Sequence, residues 1–452
     1  MIRVVVIGAG PAGITAAREA AVLGAGVTLI EADRLGGRAN WHSLIPSKVL
    51  LAAAERVLVS QRYAELGLKG TPPVAELDAL HARIRETAHC WSQRQREALE
   101  RVRVHLRSGV ACFEDAHHLR LEAPGHAPEV LDFDAVIIAA GSEPAYLPGL
   151  CPDGQRILAP RMMSSFNEWP ERIVIVGGGV SGAEYSSYFN SLGIQVSWIT
   201  DLNTFLPRSD DDVSDMLVRQ MTARGVELLT KSPVEVIEVG VDGVRVVLRS
   251  GRKVAGSHAF IAIGRSPDTA RLHLEAAGVA LSRVGVCVDG YGRTSQANIY
   301  AVGDVCGPPF TVNCGQAQAV IAARHLLGRP VQPVRDNILA EAIYSEPQVA
   351  QVGLTETAAW AAGQAVRTLR RTYSQVLKPV IAGEMAGFFK MLIEPNSRRI
   401  LGGAAVGEQA VDVINLISLA VMQGLSLDRL TGWFPAYPSM AELISEMIAG
   451  EG

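Results

Sequence analysis

Two glycine triplets stand where a chain could cradle a phosphate. Gly8, Gly10 and Gly13 follow the apolar run VVVI, and Gly177, Gly179 and Gly182 follow IVIV. In each triplet the first glycine permits a tight turn, the second lets backbone approach a pyrophosphate, and the third lets the next helix pack closely. The diphosphate then lies at a helix N-terminus, where unpaired amides and the helix dipole favour an anion. Residues 4–33 and 173–202 repeat the same order: apolar strand, glycine turn, small-residue helix, second strand. One such fingerprint is weak. Two in the same setting predict two nucleotide sites in one chain.

The units differ 23 residues after their first glycine, where the first carries Glu31 and the second Thr200. Glu31 can accept bonds from an unphosphorylated ribose, as the adenosine half of FAD requires. A carboxylate at position 200 would favour NAD, and an arginine NADP. Thr200 does neither, and the following Asp201 leans only slightly against a 2′-phosphate, so the nicotinamide preference stays open.

The elements that must position these sites belong to an ordinary globular chain. It has 452 residues, 48% hydrophobic and 19% charged, enough for two to four domains. The net charge of -4, scattered rather than blocked, argues against nucleic acid or a membrane surface as partner. The apolar N-terminus breaks at once into glycines and reads as a buried strand, not an export signal. Residues 411–425 contain Asp412 and Asn415 and are too short to span a bilayer. A cytoplasmic location without stable membrane insertion is expected. None of the six cysteines (Cys90, Cys112, Cys151, Cys287, Cys306, Cys314) has Cys-x-x-Cys or zinc-type spacing, so no metal site is expected. Each is expected to be a small buried hydrophobe.

In this order the motifs resemble those of the flavoprotein disulfide reductases, the group of glutathione reductase, dihydrolipoamide dehydrogenase and mercuric reductase. The marks are Gly8-Ala-Gly-Pro-Ala-Gly13, Ile45-Pro-Ser-Lys48, Ala140-Gly-Ser142 with Pro144, and Gly177-Gly-Gly-Val-Ser-Gly-Ala-Glu184. Gly264-Arg265 with Pro267, Gly303-Asp304, and Pro347 with Val352-Gly-Leu-Thr-Glu356 complete the set, spread over nearly the whole chain. The resemblance implies an α/β fold with two doubly wound, Rossmann-like nucleotide-binding domains and an α+β C-terminal dimerisation domain. FAD would be held by residues 1–150 and 268–334, NAD(P)H by 151–267, and the interface would be built from 335–452. Residues 52–105 show helical periodicity with many charges, and two helical runs are expected in the last quarter. Gly37, Gly141 and Gly264 would line the cofactors, and Asp304 would bond the ribityl chain. Lys48 and Glu184 would pair near the reactive edge of the flavin, Lys48 placing positive charge where the reduced ring is negative.

The departures from that family are as informative as the matches. Its segment Gly-Gly-x-Cys-x-x-x-x-Cys-x-Pro-Ser-Lys reads here Gly36-Gly37-Arg38-Ala39-Asn40-Trp41-His42-Ser43-Leu44-Ile45-Pro46-Ser47-Lys48. Ala39 and Leu44 replace both redox cysteines, and no cysteine precedes Cys90. Near the C-terminus the family's His-Pro-x-x-x-Glu, supplied by the second subunit of a homodimer, reads Tyr437-Pro438-Ser439-Met440-Ala441-Glu442. Thiol–disulfide exchange needs a thiolate and a proton shuttle. The chain lacks both at the matching positions, so disulfide reduction is not expected. Hydride transfer from NAD(P)H to FAD needs only the two nucleotide sites.

The expected activity is therefore an NAD(P)H oxidoreductase passing electrons through FAD to a small non-disulfide acceptor of quinone type. Ala39 and Leu44 would open an apolar face for it, and Tyr437, with Glu442 behind it, would line the pocket from the other subunit. Trp41 and His42 lie in the same segment; the first reads as core and the second as a candidate proton donor. A soluble transhydrogenase, or a flavin-carrying electron-transfer subunit, are the alternatives.

Overall fold

Two parallel five-stranded sheets organise the first three quarters of the chain in the computed structural model, which describes residues 1–450. The first sheet runs Ile299–Ala301, Ala135–Ile138, Arg3–Ile7, Gly26–Glu31, His105–Ser108. The second runs Glu227–Leu229, Gln195–Ile199, Arg172–Val176, His258–Ile261, Ile157–Leu158. Helices cover one face of each sheet and a three-stranded antiparallel sheet packs on the other, so the central strands are buried on both sides and read as continuous apolar runs rather than alternating ones.

The sequence repeat is a structural repeat. Ile7 pairs with Ile30 and Val176 with Ile199 in the same parallel register. The amide of Gly8 then donates to Ile30 O, and that of Gly177 to Ile199 O, each at 2.8 Å. Helices α1 (Pro11–Val22) and α5 (Val180–Ser191) start from these turns. Between them lie α2 (Gly37–Trp41), α3 (Leu44–Ser60) and α4 (Leu77–Arg101), the last burying His81, Ile84, Ala88 and Leu99 and exposing most of the rest. The helical region thus starts eight residues earlier than the charge pattern indicated and is broken by an extended stretch before Leu77. Helix α5 (Val180–Ser191) packs on α3, α6 (Asp211–Ala223) follows, and α7 (Val312–Leu326) packs along α1. Each unit also carries a three-stranded antiparallel sheet, near residues 110–132 and 234–256, that the glycine pattern did not reveal.

The chain crosses between the two units twice. Strand Ser142–Pro144 leads out, Arg265–Pro267 leads back, and the two pair antiparallel. The last quarter is a five-stranded antiparallel sheet in the order Glu341–Ile343, Gln348–Gly353, Ile400–Gly407, Phe388–Ile393, Arg367–Thr372. Its described residues hold five α-helices, not two, because four are too short to give a periodic signal. The apolar stretch around residue 415 forms helix Ala410–Gln423, which buries Val413, Ile414 and Ile417 against this sheet. Among the described residues no helix is long and apolar enough to cross a membrane. The cysteine expectation holds for Cys112 and Cys314 only. Cys306 is half-buried and Cys90, Cys151 and Cys287 are exposed, the first on the solvent face of α4.

Candidate active site

The two fingerprints form open anion cradles. Gly10 and Gly179 cap α1 and α5 with extended backbone and no side-chain hydrogen bond, leaving the first helical amides to a diphosphate. A Cβ at Gly13 would stand 1.8 Å from Gly8 O, and one at Gly182 2.0 Å from Gly177 O. The close approach of helix to turn admits nothing larger than glycine. Gly37 belongs to the same cradle, since a Cβ there would lie 2.9 Å from the Cα of Gly10.

Around the first cradle, Glu31 Oε2 accepts the Ala9 amide at 2.7 Å and Oε1 that of Asp33 at 2.9 Å. Burial raises the Glu31 carboxyl above its ordinary range, and these two bonds oppose the rise. Gly141, at φ +78°, turns the end of strand Ala135–Ile138. The next residue, Ser142, donates from Oγ to Asp304 Oδ2 at 2.5 Å and accepts from Arg265 Nε at 2.7 Å. Uncapped amides, a turn packed too closely on its helix for any Cβ at Gly13, and an acceptor for a ribose at one end with Asp304 at the other suit FAD.

In the second cradle Thr200 is a correction. It is 1% exposed, its Oγ accepts the Leu202 amide at 3.2 Å, and a Cβ on Gly178 would collide with that Oγ. Thr200 therefore braces the fingerprint from beneath and its hydroxyl is not open to a ribose; the neighbouring Asp201 is exposed. Gly264, at φ +115°, accepts the Ala145 amide where the chain returns to the first unit.

Lys48 and Glu184 come from helices in different units, α3 and α5, and meet at 2.6 Å. Glu184 is held twice, for the Tyr344 amide also donates to its Oε1 at 3.0 Å. The Tyr344 ring lies 4.6 Å from Lys48 Nζ, near enough for a cation–π contact. Burial and the Glu184 charge raise its phenol above the ordinary value. Tyr344 was missed from sequence; its one signal is its place three residues before Pro347. Leu44 opens α3 one turn before Lys48, on the same face, and is exposed. Leu44 thus borders the ammonium group.

Tyr437 is 72% exposed, and among the described residues no hydrogen bond joins it to Lys48 or Glu184 of its own chain. Glu442 is buried and accepts the Ser439 amide at 2.6 Å, closing the turn that presents Tyr437. Trp41 is core: its indole donates to Leu35 O and Arg34 covers its ring. His42 faces Asp33 at 3.6 Å, and among the described residues no hydrogen bond or ion pair joins it to Lys48 or Glu184.

Two further charged groups lie outside the cradles. Asp210, Asp212 and Glu356 converge closely enough to hold a cation, and Lys390 Nζ supplies it at 2.8, 2.6 and 2.6 Å. Glu346 is pushed up to about 8 by burial and by the like charges of Glu408 and Glu55.

The chain is similar to known proteins over nearly its whole length. The family model for pyridine nucleotide-disulphide oxidoreductases matches residues 2–324, and that for their dimerisation domain matches residues 339–448. A dihydrolipoyl dehydrogenase of Chlorobaculum parvum is 30% identical over 98% of this chain and 95% of its own. An NAD(P)H dehydrogenase (quinone) of Mycobacterium tuberculosis is 30% identical over 98% of this chain and 92% of its own. The crystal structure of LpdA from Mycobacterium tuberculosis superposes with a TM-score of 0.94 at 29% identity, covering all of both chains.

Proposed function

We propose that this chain, which belongs to the pyridine nucleotide-disulphide oxidoreductase family, passes two electrons from NAD(P)H to a quinone-like acceptor and reduces no disulfide. The family uses FAD and NAD(P)H, and the two cradles are where this chain holds them. The observation that carries the acceptor reading is a split. The Lys48–Glu184 pair is assembled as hydride transfer needs, whereas Ala39, Leu44 and Tyr437 stand where thiol chemistry would need two cysteines and a histidine. The similarity to a mycobacterial NAD(P)H dehydrogenase (quinone) supports the same acceptor class.

FAD, when bound, supplies the two-electron chemistry that links the nucleotide to the acceptor. The chain's own residues do the rest. Glu184 holds Lys48 in place, and the ammonium stabilises negative charge at the reacting edge. Leu44 and Ala39 leave an apolar face against which a planar ring can lie. The dimerisation domain makes a homodimer, and Tyr437 of the second subunit donates a hydrogen bond to a quinone oxygen. The balance is one NAD(P)H and one proton consumed per quinone reduced to hydroquinone, and the work is done in the cytoplasm.

A second reading, transhydrogenation between NADH and NADPH, draws on Thr200. With that side chain buried, position 200 offers neither a carboxylate against nor a cation for a 2′-phosphate. Anaerobic titration of the flavoprotein separates these readings. Complete bleaching at about one NAD(P)H per flavin, with no long-wavelength thiolate band and rapid recolouring by a quinone, is the expected result. Recolouring by NADP⁺ but by no quinone would establish the second reading. Uptake of two equivalents would mean that another cysteine pair, such as Cys306 and Cys314, stores electrons, and would refute the first.

A further inference from the structure

The two strands that join the nucleotide units make a poor ladder on their own. Each has three residues, Ser142–Pro144 and Arg265–Pro267, and each ends in a proline without an N–H to donate. Pro144 stands opposite Arg265 and Pro267 opposite Ser142. Side chains supply what the backbone lacks. Arg265 stitches within the ladder, giving Nε to Ser142 Oγ at 2.7 Å and Nη2 to Ser142 O at 2.8 Å.

A second arginine stitches it from outside. Nη1 of Arg38 donates to the carbonyls of Ala140 and Ser142, each at 3.3 Å. Nη2 donates to Glu143 Oε1 at 2.9 Å and Asp268 Oδ2 at 2.5 Å. Glu143 lies on the outgoing strand and Asp268 directly follows the returning one, so one guanidinium spans both crossings. Asp268 is itself fixed, its amide donating to Gly141 O at 3.0 Å and its side chain only 13% exposed. Arg38 sits on α2 beside Gly37, which leans on Gly10 of the first cradle. The next residue, Ala39, is one of the two positions where the family resemblance places a redox cysteine.

We propose that Arg38 is a positioning residue, a clamp that fixes the nicotinamide-nucleotide unit against the flavin cradle by locking both crossings to α2. The planar five-donor fork is what the job requires, since a lysine cannot reach four acceptors spread over both crossings. Hydride transfer depends steeply on placement, and the crossings are the covalent links that set the approach of one unit to the other. The clamp rests on the reading that NAD(P)H reduces the flavin and is independent of which acceptor follows.

The test uses the full-length flavoprotein with Arg38→Met, Asp268→Asn and the double variant. Hydrogen exchange at residues 141–146 and 264–268 is expected to accelerate several-fold in each single variant. Bleaching at saturating NAD(P)H is expected to slow by roughly tenfold. Flavin content and the half-saturating nucleotide concentration should stay within about twofold of wild type, and the double variant should be no worse than Arg38→Met, as for one shared contact. Unchanged exchange at both crossings, or faster exchange with a wild-type bleaching rate, would overturn the clamp. If Arg38→Met fails to retain flavin, Asp268→Asn and Arg38→Lys carry the same comparison with the same deciding outcomes. A wild-type protein that no nucleotide bleaches would sink the NAD(P)H reading instead, while exchange would still report whether Arg38 locks the crossings.

Discussion

Removing either partner of the Lys48–Glu184 pair should not cost the same, and the asymmetry follows from where each charge sits. The Glu184 side chain is 6% exposed and that of Lys48 33% exposed. In Lys48→Met the buried carboxylate keeps only the Tyr344 amide at 3.0 Å. An ion left buried without its partner costs about 3–5 kcal/mol, and partial hydration through the lysine's vacated path brings this toward the lower figure. In Glu184→Gln the lysine turns to water, and the amide oxygen still accepts the Tyr344 N–H. The loss is then one charge-assisted hydrogen bond, about 1.5 kcal/mol at the low end because water takes the freed ammonium. The difference of about 1.5 kcal/mol should lower the temperature at which FAD is released by a few degrees more in Lys48→Met than in Glu184→Gln. Both variants are followed by the rise in flavin fluorescence on heating at fixed protein and salt concentration. Equal shifts, or a larger one for Glu184→Gln, would refute the assignment of Glu184 as the buried, dependent member of the pair.

The remaining expectations concern the acceptor side and the interface domain. Tyr437→Phe should lower quinone turnover by about tenfold while leaving the rate of flavin bleaching by NAD(P)H unchanged, and stopped-flow measurement of the two half-reactions separates them. Glu346, with its folded-state value near 8, lies well above an unfolded glutamate. Its protonated form therefore contributes stability that is complete below about pH 4 and lost as pH rises to 8. FAD-release temperature should fall across that window, and Glu346→Gln should flatten it; a variant with the wild-type pH profile would remove Glu346 as the cause. The groups acting on it are Glu408, Glu55 and Glu384, opposed by Arg224.

Much of the fold was legible because it rests on a repeated local pattern. The glycine triplets and the apolar runs before them fix two parallel units, and the observed registers of Ile7 with Ile30 and Val176 with Ile199 match that pattern. What escaped was whatever depends on residues far apart in the chain. Thr200 sits where a ribose contact is expected, yet the small side chain turns inward because Gly178 leaves room beneath the turn. Tyr344 reaches Lys48 across almost 300 residues of sequence, and its neighbours carry no pattern that points there. Arg38 could be read only as an ordinary surface residue until Asp268, 230 positions away, appeared opposite it. The short strands near residues 110–132 and the small helices of the last domain are set by packing, which one sequence does not display.

The residues that differ from the family motif at positions 39, 44 and 437 belong to one chemistry, which is the argument for a change of acceptor. A disulfide reductase needs its cysteines and its histidine together, for a thiolate without a proton shuttle, or the reverse, completes no exchange. Drift that had merely inactivated the enzyme would be expected to loosen the flavin side as well, since Lys48 and Glu184 have no purpose in folding that an apolar pair could not serve at lower cost. Instead a buried carboxylate is kept in a double hydrogen bond to hold one ammonium group at the mouth of α3. On the proposed reading, the half that receives hydride is kept and the half that delivers electrons is rebuilt. That pattern is what a change of acceptor would leave behind. The proposed function would put the determinants of acceptor choice on a small surface formed by Ala39, Leu44, Tyr344 and the Tyr437 of a second subunit. Returning cysteines at positions 39 and 44 should therefore not restore disulfide reduction unless Tyr437 is changed to histidine as well.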